Sequence, residues 1–207
     1  QGDGGLLLTK ALAQGEKAGV DIIMGLNNDM LNKAINSKLF MPYRPRGAEN
    51  LYDGLALDAE FRLVPWDWGS FAFIFDSEYG EKAPESLEDL CNPRWKKKII
   101  LMDPRTSSPG LGFFSWVKEV YGEDWQAYWK RLMPSILTIA DGWDSGYGMF
   151  TRGEAPLVLS YNTSPAYHVE YEDSDRFKAL IFSDGHVNQI EFAGILHSSP
   201  RKELAKS

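Results

Sequence analysis

The residues with the clearest chemical potential lie in three polar stretches, each following an apolar run. The first, Asp103-Pro104-Arg105-Thr106-Ser107-Ser108-Pro109-Gly110-Leu111-Gly112, separates an expected strand from an apolar-faced helix. Free N–H groups and the dipole at a helix start attract anions. Thr106, Ser107 and Ser108 add hydroxyl donors to this Gly110-bearing loop, which suits it to a phosphate or carboxylate held without a metal. It is not a Walker loop, since no Gly-Lys-Ser/Thr follows. The plainer reading is a helix cap in which Pro109 and Gly110 only turn the chain.

The second stretch is Asp141-Gly142-Trp143-Asp144-Ser145-Gly146-Tyr147-Gly148, where Trp143 and Tyr147 fall four apart on one helical face. Three glycines this close weaken a helix, and aromatic rings on such a helix are suited to pressing against a flat ligand. The third is Leu159-Ser160-Tyr161-Asn162-Thr163-Ser164-Pro165-Ala166-Tyr167-His168, with Tyr161 and Tyr167 bracketing a polar turn. Aromatic walls with hydroxyls suit a planar heterocycle, and nearby aspartates favour a cationic one.

Other chemistries find less support. His168, His186 and His197 show no metal-ligand spacing and read as surface or capping residues. No G-x-S-x-G elbow presents Ser107 as a nucleophile. Asp141 and Asp144 have the residue type of a glycosidase pair, but acids are abundant and their pairing is not visible in sequence. The single cysteine, Cys91, excludes an intramolecular disulfide. The expectation is therefore a protein with no catalytic residue, no metal and no cofactor. A net charge of −7 without a basic stripe argues against nucleic acid, and Lys96-Lys97-Lys98 reads as a solvated strand entrance.

The elements that must position these stretches alternate. A Gly-rich opening with Asp3 leads into a helix, then a strand at Val20 to Met24, whose end Gly25-Leu26-Asn27-Asn28-Asp29 is a strand-to-helix junction before Met30, Leu31, Ala34 and Ile35. Two strands, Phe61 to Val64 and Ser70 to Phe75, are expected on either side of a break at Pro65-Trp66-Asp67-Trp68-Gly69 with the character of a hinge. A short helix is expected at Pro84 to Leu90 and a strand at Lys98 to Met102. Helices near 110–122, 125–133 and 142–152, strands at 136–140 and 157–161, and a helix from Ser164 follow. Strands near 178–182 and 188–195 lead to a helical end at 200–207. Phe113, Trp116, Val117, Val120 and Tyr121 share a core-facing helix stripe. Such alternation implies an α/β fold with sheets covered on both faces.

On these residues the chain resembles the periplasmic thiamine-binding family of bacterial ABC importers. The resemblance covers nearly the whole chain. It is strongest at Asp103-Pro104-Arg105-Thr106-Ser107 with Pro109-Gly110-Leu111-Gly112, Gly142-Trp143 with Tyr147-Gly148, and Leu157-Val158-Leu159-Ser160-Tyr161 with Thr163-Ser164-Pro165-Ala166-Tyr167-His168. It implies a two-lobed, periplasmic-binding-protein-like (type II) α/β fold that captures thiamine or a thiamine phosphate in an interlobe cleft. Ser107 would lie in a phosphate loop with Thr106, Ser108 and Gly110. Trp143, Tyr161 and Tyr167 would surround the vitamin, and Asp3 would face them. Residues 1–63 and 186–207 would form one lobe and 64–185 the other, with hinge crossings at its ends.

The resemblance also implies a periplasmic or extracellular monomer, exported with a signal sequence or lipid anchor, that delivers its solute to a membrane permease. The family's first strand and C-terminal part fall outside Gln1 to Ser207, so the chain is expected to be a fragment. Asn27 stands where relatives can carry Asp, and Ser70 where an aromatic is found. The rivals are a binder of polyamines or another small cation, an iron(III) binder, although there is no Tyr-Tyr pair here, and an enzyme acting on a planar heterocycle.

Overall fold

Seven strands and seven α-helices follow one another in the computed structural model, which describes residues 4–17 and 19–207. They are α1 (Gly4–Gln14), β1 (Ile22–Asn27), α2 (Leu31–Asn36), β2 (Val64–Asp76), β3 (Ile99–Met102), α3 (Ser108–Tyr121) and α4 (Trp125–Leu132). Then come β4 (Ile136–Ala140), α5 (Trp143–Thr151), β5 (Leu157–Tyr161), α6 (Ser164–Glu172), β6 (Phe177–Ala179), β7 (Asn188–Ile195) and α7 (Lys202–Ala205). The chain divides into two compact units, Gln1–Trp68 with Gln189–Ser207, and Gly69–Asn188.

In the first unit β1 pairs antiparallel with β7, from Ile22 opposite Ile195 to Asn27 opposite Glu191. Leu8 and Ala11 of α1, Ile23 and Leu26 of β1, Ala34 of α2 and Phe192 of β7 are buried together with Phe40, Leu63 and Leu196. Asp58 locks the turn that follows it: its buried carboxylate accepts the N–H groups of Glu60, Arg62 and Leu63 and holds the Arg62 guanidinium at 2.7 Å.

In the second unit β3 runs parallel to both β4 and β5, and β2 runs antiparallel to β5 and β6, which gives the order β6-β2-β5-β3-β4. Phe71 to Phe75, Ile99 to Met102 and Leu157 to Ser160 are each buried at every position, as strands covered on both faces must be. Phe113, Trp116 and Val117 of α3 enter this core, as their helical spacing requires. Because three parallel strands lie side by side, the loops after β4, β3 and β5 emerge at one edge of the sheet.

The element map needs four corrections. The strand expected at Val20 to Met24 runs from Ile22 to Asn27, so Gly25 to Asn27 are strand and the junction begins at Asn28. The expected break at Pro65 to Gly69 is absent: β2 is one strand from Val64 to Asp76, and Phe61 to Leu63, expected as strand, precede it as a bend. Pro65 is its second residue, where a missing N–H costs least, and Ser70 keeps its N–H bonded to Asn162 Oδ1 at 3.0 Å. The helix expected at Pro84 to Leu90 reduces to a 3-10 turn at Glu88–Cys91. There the backbone N–H groups of Glu85, Leu87 and Asp89 are taken by Asp89, Asp184 and Ser86 side chains, at 2.9, 2.6 and 3.1 Å, in place of helical carbonyls. The strand near 178–182 is Phe177–Ala179.

Candidate functional site

The three polar stretches converge at the carboxyl ends of β3, β4 and β5. After β3, Asp103 accepts from the backbone N–H of Arg105 at 2.8 Å and grips its guanidinium at 2.9, 3.1 and 2.5 Å. These bonds hold the Asp103 carboxyl down at about 2. Arg105 therefore spends its fork inside the loop. The Asp103 carbonyl accepts the N–H groups of Thr106 and Ser107 at 3.1 and 2.9 Å, closing a tight turn into α3. A Cβ on Gly110 would lie 2.5 Å from the Met102 carbonyl oxygen, so only glycine lets the start of α3 sit this close to β3.

Ser107 is the N-cap of α3, yet its hydroxyl makes no capping bond. It is 3% exposed, and its Oγ has no hydrogen-bond partner among the described residues. A buried hydroxyl with unspent bonding capacity is costly and uncommon. Thr106 is exposed and donates through Oγ1 to the Asp141 carbonyl at 2.7 Å, tying the β3 loop to the β4 loop. Ser108 is half-buried and opens α3.

After β4, Gly142 precedes α5, and Trp143 and Tyr147 stack with centroids 5.0 Å apart and planes 17° apart, as their spacing predicts. Gly146 has a packing reason: a Cβ there would meet Met102 Cε at 2.7 Å and Ala140 Cβ at 3.3 Å. The indole Nε1 of Trp143 donates to Ser160 Oγ at 2.7 Å, across to the end of β5. Ser160 is fully buried and lies 2.7 Å from Ser164 Oγ, which also accepts the Tyr161 N–H at 3.3 Å.

Tyr161 packs on Phe71 with centroids 5.3 Å apart. Tyr167 stands 58% exposed on α6 and lies against His168 and Tyr171. The fold thus links Thr106, Trp143 and the β5 end through Asp141 and Ser160, and it places Ser107 and Gly110 at the neck of the same loop. Tyr167 lies further along α6. Asp3 falls outside the described residues.

One reading of the histidines is corrected. His168 is neither a surface nor a capping residue: it is 3% exposed, with Nδ1 2.6 Å from Glu172 Oε2 and Nε2 2.9 Å from the Tyr147 hydroxyl. Its i,i+4 spacing to Glu172 was a readable signal, whereas its bond to Tyr147 joins two helices. Ser160 was also missed, although a serine closing the apolar run Leu157-Val158-Leu159 marks a buried polar contact. Among the described residues no group of three or more His, Cys, Asp or Glu side chains gathers to hold a metal ion. No described helix is long and apolar enough to cross a membrane.

This arrangement of strands and connecting loops has known counterparts. Residues 18–207 match the family of bacterial extracellular solute-binding proteins. The chain belongs to that family. This solute-binding protein is 42% identical over 204 residues to the thiamine-binding periplasmic protein of Brucella abortus, a match covering 99% of this chain and 60% of that one. With the thiamine-binding periplasmic protein of Escherichia coli the identity is 38% over 205 residues, covering 99% and 62%. A solved structure of a periplasmic thiamin binding protein superimposes with a TM-score of 0.91 at 37% identity, covering all of this chain and 64% of that one. This solute-binding protein therefore spans about 60% of the length of the curated relatives it matches.

Proposed function

We propose that this solute-binding protein captures thiamine or a thiamine phosphate and passes it to the membrane permease of an ABC importer, acting as a periplasmic monomer and not as an enzyme. The observation that carries the reading is the cluster at the carboxyl ends of β3, β4 and β5. An indole held in a stack opens one helix, and an unpartnered, buried hydroxyl stands at the start of another. The identity to thiamine-binding relatives supports it.

In this reading Trp143, Tyr161 and Tyr167 offer ring faces to the flat, cationic vitamin, whose charge is attracted by aromatic quadrupoles. Ser107, with Thr106, Ser108 and Gly110 around the start of α3, receives a phosphate, which favours the positive end of a helix. Burial of Ser107 Oγ means that the loop opens slightly to admit the anion. Asp3 contributes a carboxylate. Residues 1–63 and 186–207 act as one lobe and 64–185 as the other, hinged where the chain crosses between them, and the ligand favours whichever conformation it contacts more. No atom of the solute changes its bonding, so no acid, base or nucleophile is required.

The test is calorimetric titration of thiamine and thiamine monophosphate into the protein expressed from its complete gene, with Trp143→Ala as control. Saturable binding weakened by the substitution is expected. Absence of binding to both would overturn the vitamin assignment.

A further inference from the structure

His168 is the one buried histidine among the described residues, and solute capture as proposed above does not use it. Both ring nitrogens are engaged. Glu172 Oε2 lies 2.6 Å from Nδ1, and the Tyr147 hydroxyl lies 2.9 Å from Nε2. A carboxylate only accepts, so the Nδ1 proton points at Glu172, and in the neutral imidazole Nε2 is then the acceptor for the Tyr147 O–H. Burial, with the charge of Glu172, pushes the Tyr147 phenol up to about 12, so it keeps the proton it donates.

The rings are arranged to transmit this constraint. Tyr147 stacks on His168 at 5.8 Å and 25°, and on Trp143 at 5.0 Å and 17°. Phe177 and Tyr167 hold His168 edge-on, at 4.7 Å and 67° and at 5.6 Å and 90°. Trp143 itself has one polar anchor, Nε1 to Ser160. A single hydrogen bond leaves an indole free to tilt about the N–H···O axis, and a neighbouring parallel ring removes that freedom only if it cannot slide. The bond from Tyr147 to His168 stops the slide.

We propose that His168, oriented by Glu172, is a positioning residue that sets the plane of Trp143 through Tyr147, and so sets how well a flat solute is held. This rests on the thiamine reading for the solute, though not for the geometry. His168 touches no solute; its effect is preorganisation of the ring face.

The experiment uses the protein from its complete gene, with thiamine as the probe, and follows the affinity, the thermal midpoint and the Trp143 indole 1H–15N signal, assigned with Trp143→Phe. Tyr147→Phe keeps the ring and removes the bond. It is expected to shift the Trp143 indole signal in the unliganded protein while leaving the other tryptophans in place, and to weaken thiamine by about tenfold, the worth of one oriented hydrogen bond. His168→Gln restores an acceptor to Tyr147 and is expected to recover part of both effects relative to His168→Ala. If His168→Ala does not fold, Tyr147→Phe, which loses a single oxygen, carries the test. An unmoved Trp143 signal and unchanged affinity in folded Tyr147→Phe would overturn the proposal, as would equal behaviour of His168→Gln and His168→Ala. Failure of the unsubstituted protein to bind thiamine would overturn the vitamin reading instead, and the indole signal would still decide whether His168 positions Trp143.

Discussion

Thr106 Oγ1 donates to the Asp141 carbonyl at 2.7 Å, across 35 residues of chain, and so fastens the loop after β3 to the loop after β4. Since β3 and β4 are parallel neighbours, this bond ties the start of α3 to the start of α5 at the sheet edge. Thr106→Val keeps the shape and removes the donor. The expected loss is about 1 kcal/mol in urea denaturation, together with weaker binding of thiamine monophosphate as the loops separate. Unchanged affinity for the phosphate ester would show that the tie is structural only.

Ser107→Ala should separate stability from binding. The hydroxyl is buried and unpartnered, so its removal relieves a cost and is expected to leave unfolding unchanged or more difficult by about 1 kcal/mol. Affinity for thiamine monophosphate should fall while that for thiamine changes less. A destabilised protein would mean that Ser107 has a structural partner, and equal losses for both ligands would remove it from the phosphate role.

Ser160→Ala takes away the acceptor of the Trp143 indole and one partner of Ser164. An indole N–H left unpaired costs about 1–3 kcal/mol. Thermal unfolding should register that loss, and binding should weaken with it. Ser160→Thr, which keeps a hydroxyl, should unfold at a temperature nearer to that of the unsubstituted protein if the hydrogen bond is what matters.

Asp76 and Arg176 supply the pH dependence. Arg176 Nε and Nη2 donate to the two Asp76 oxygens at 2.8 and 2.7 Å, and these bonds outweigh burial to hold the Asp76 carboxyl below its ordinary range. A carboxylate depressed in the folded state contributes stability that is present above its unfolded value of about 3.9 and is lost as pH falls through the folded value. Asp76→Asn is therefore expected to cost about 2 kcal/mol near neutral pH, with the gap to the unsubstituted protein closing under acid, as read from urea midpoints across pH. A gap that does not change with pH would show that the charge contributes nothing.

The parts of the molecule legible in sequence are those that depend on near neighbours. The strand at 136–140, the α3 core stripe and the Trp143–Tyr147 stack follow from a period of two or 3.6 residues, and the strand at 157–161 from a short apolar run, all properties of the local chain. Pro84 to Leu90 misled because its backbone donors are satisfied partly by Asp184, which lies 97 residues from Leu87. Pro65 misled because proline breaks most strands but is tolerated near a strand start, and Asn162, 92 residues from Ser70, continues the bonding there.

The site divides in the same way. Residue types marked the hydroxyls of Thr106, Ser107 and Ser108 and the aromatics Trp143, Tyr161 and Tyr167 as candidates, because hydroxyls at helix starts and aromatics beside polar turns announce themselves over a few positions, and the family resemblance singled out Ser107 and gave the aromatics their ligand role. Only the tertiary structure decided that Ser107 keeps an unspent hydroxyl while Arg105 is consumed by Asp103, that Ser160 anchors the Trp143 indole, and that His168 is buried against Tyr147. These are pairings between side chains brought together by parallel strands and neighbouring helices. Sequence determines which groups can bond, and the packing of distant segments determines which of them do.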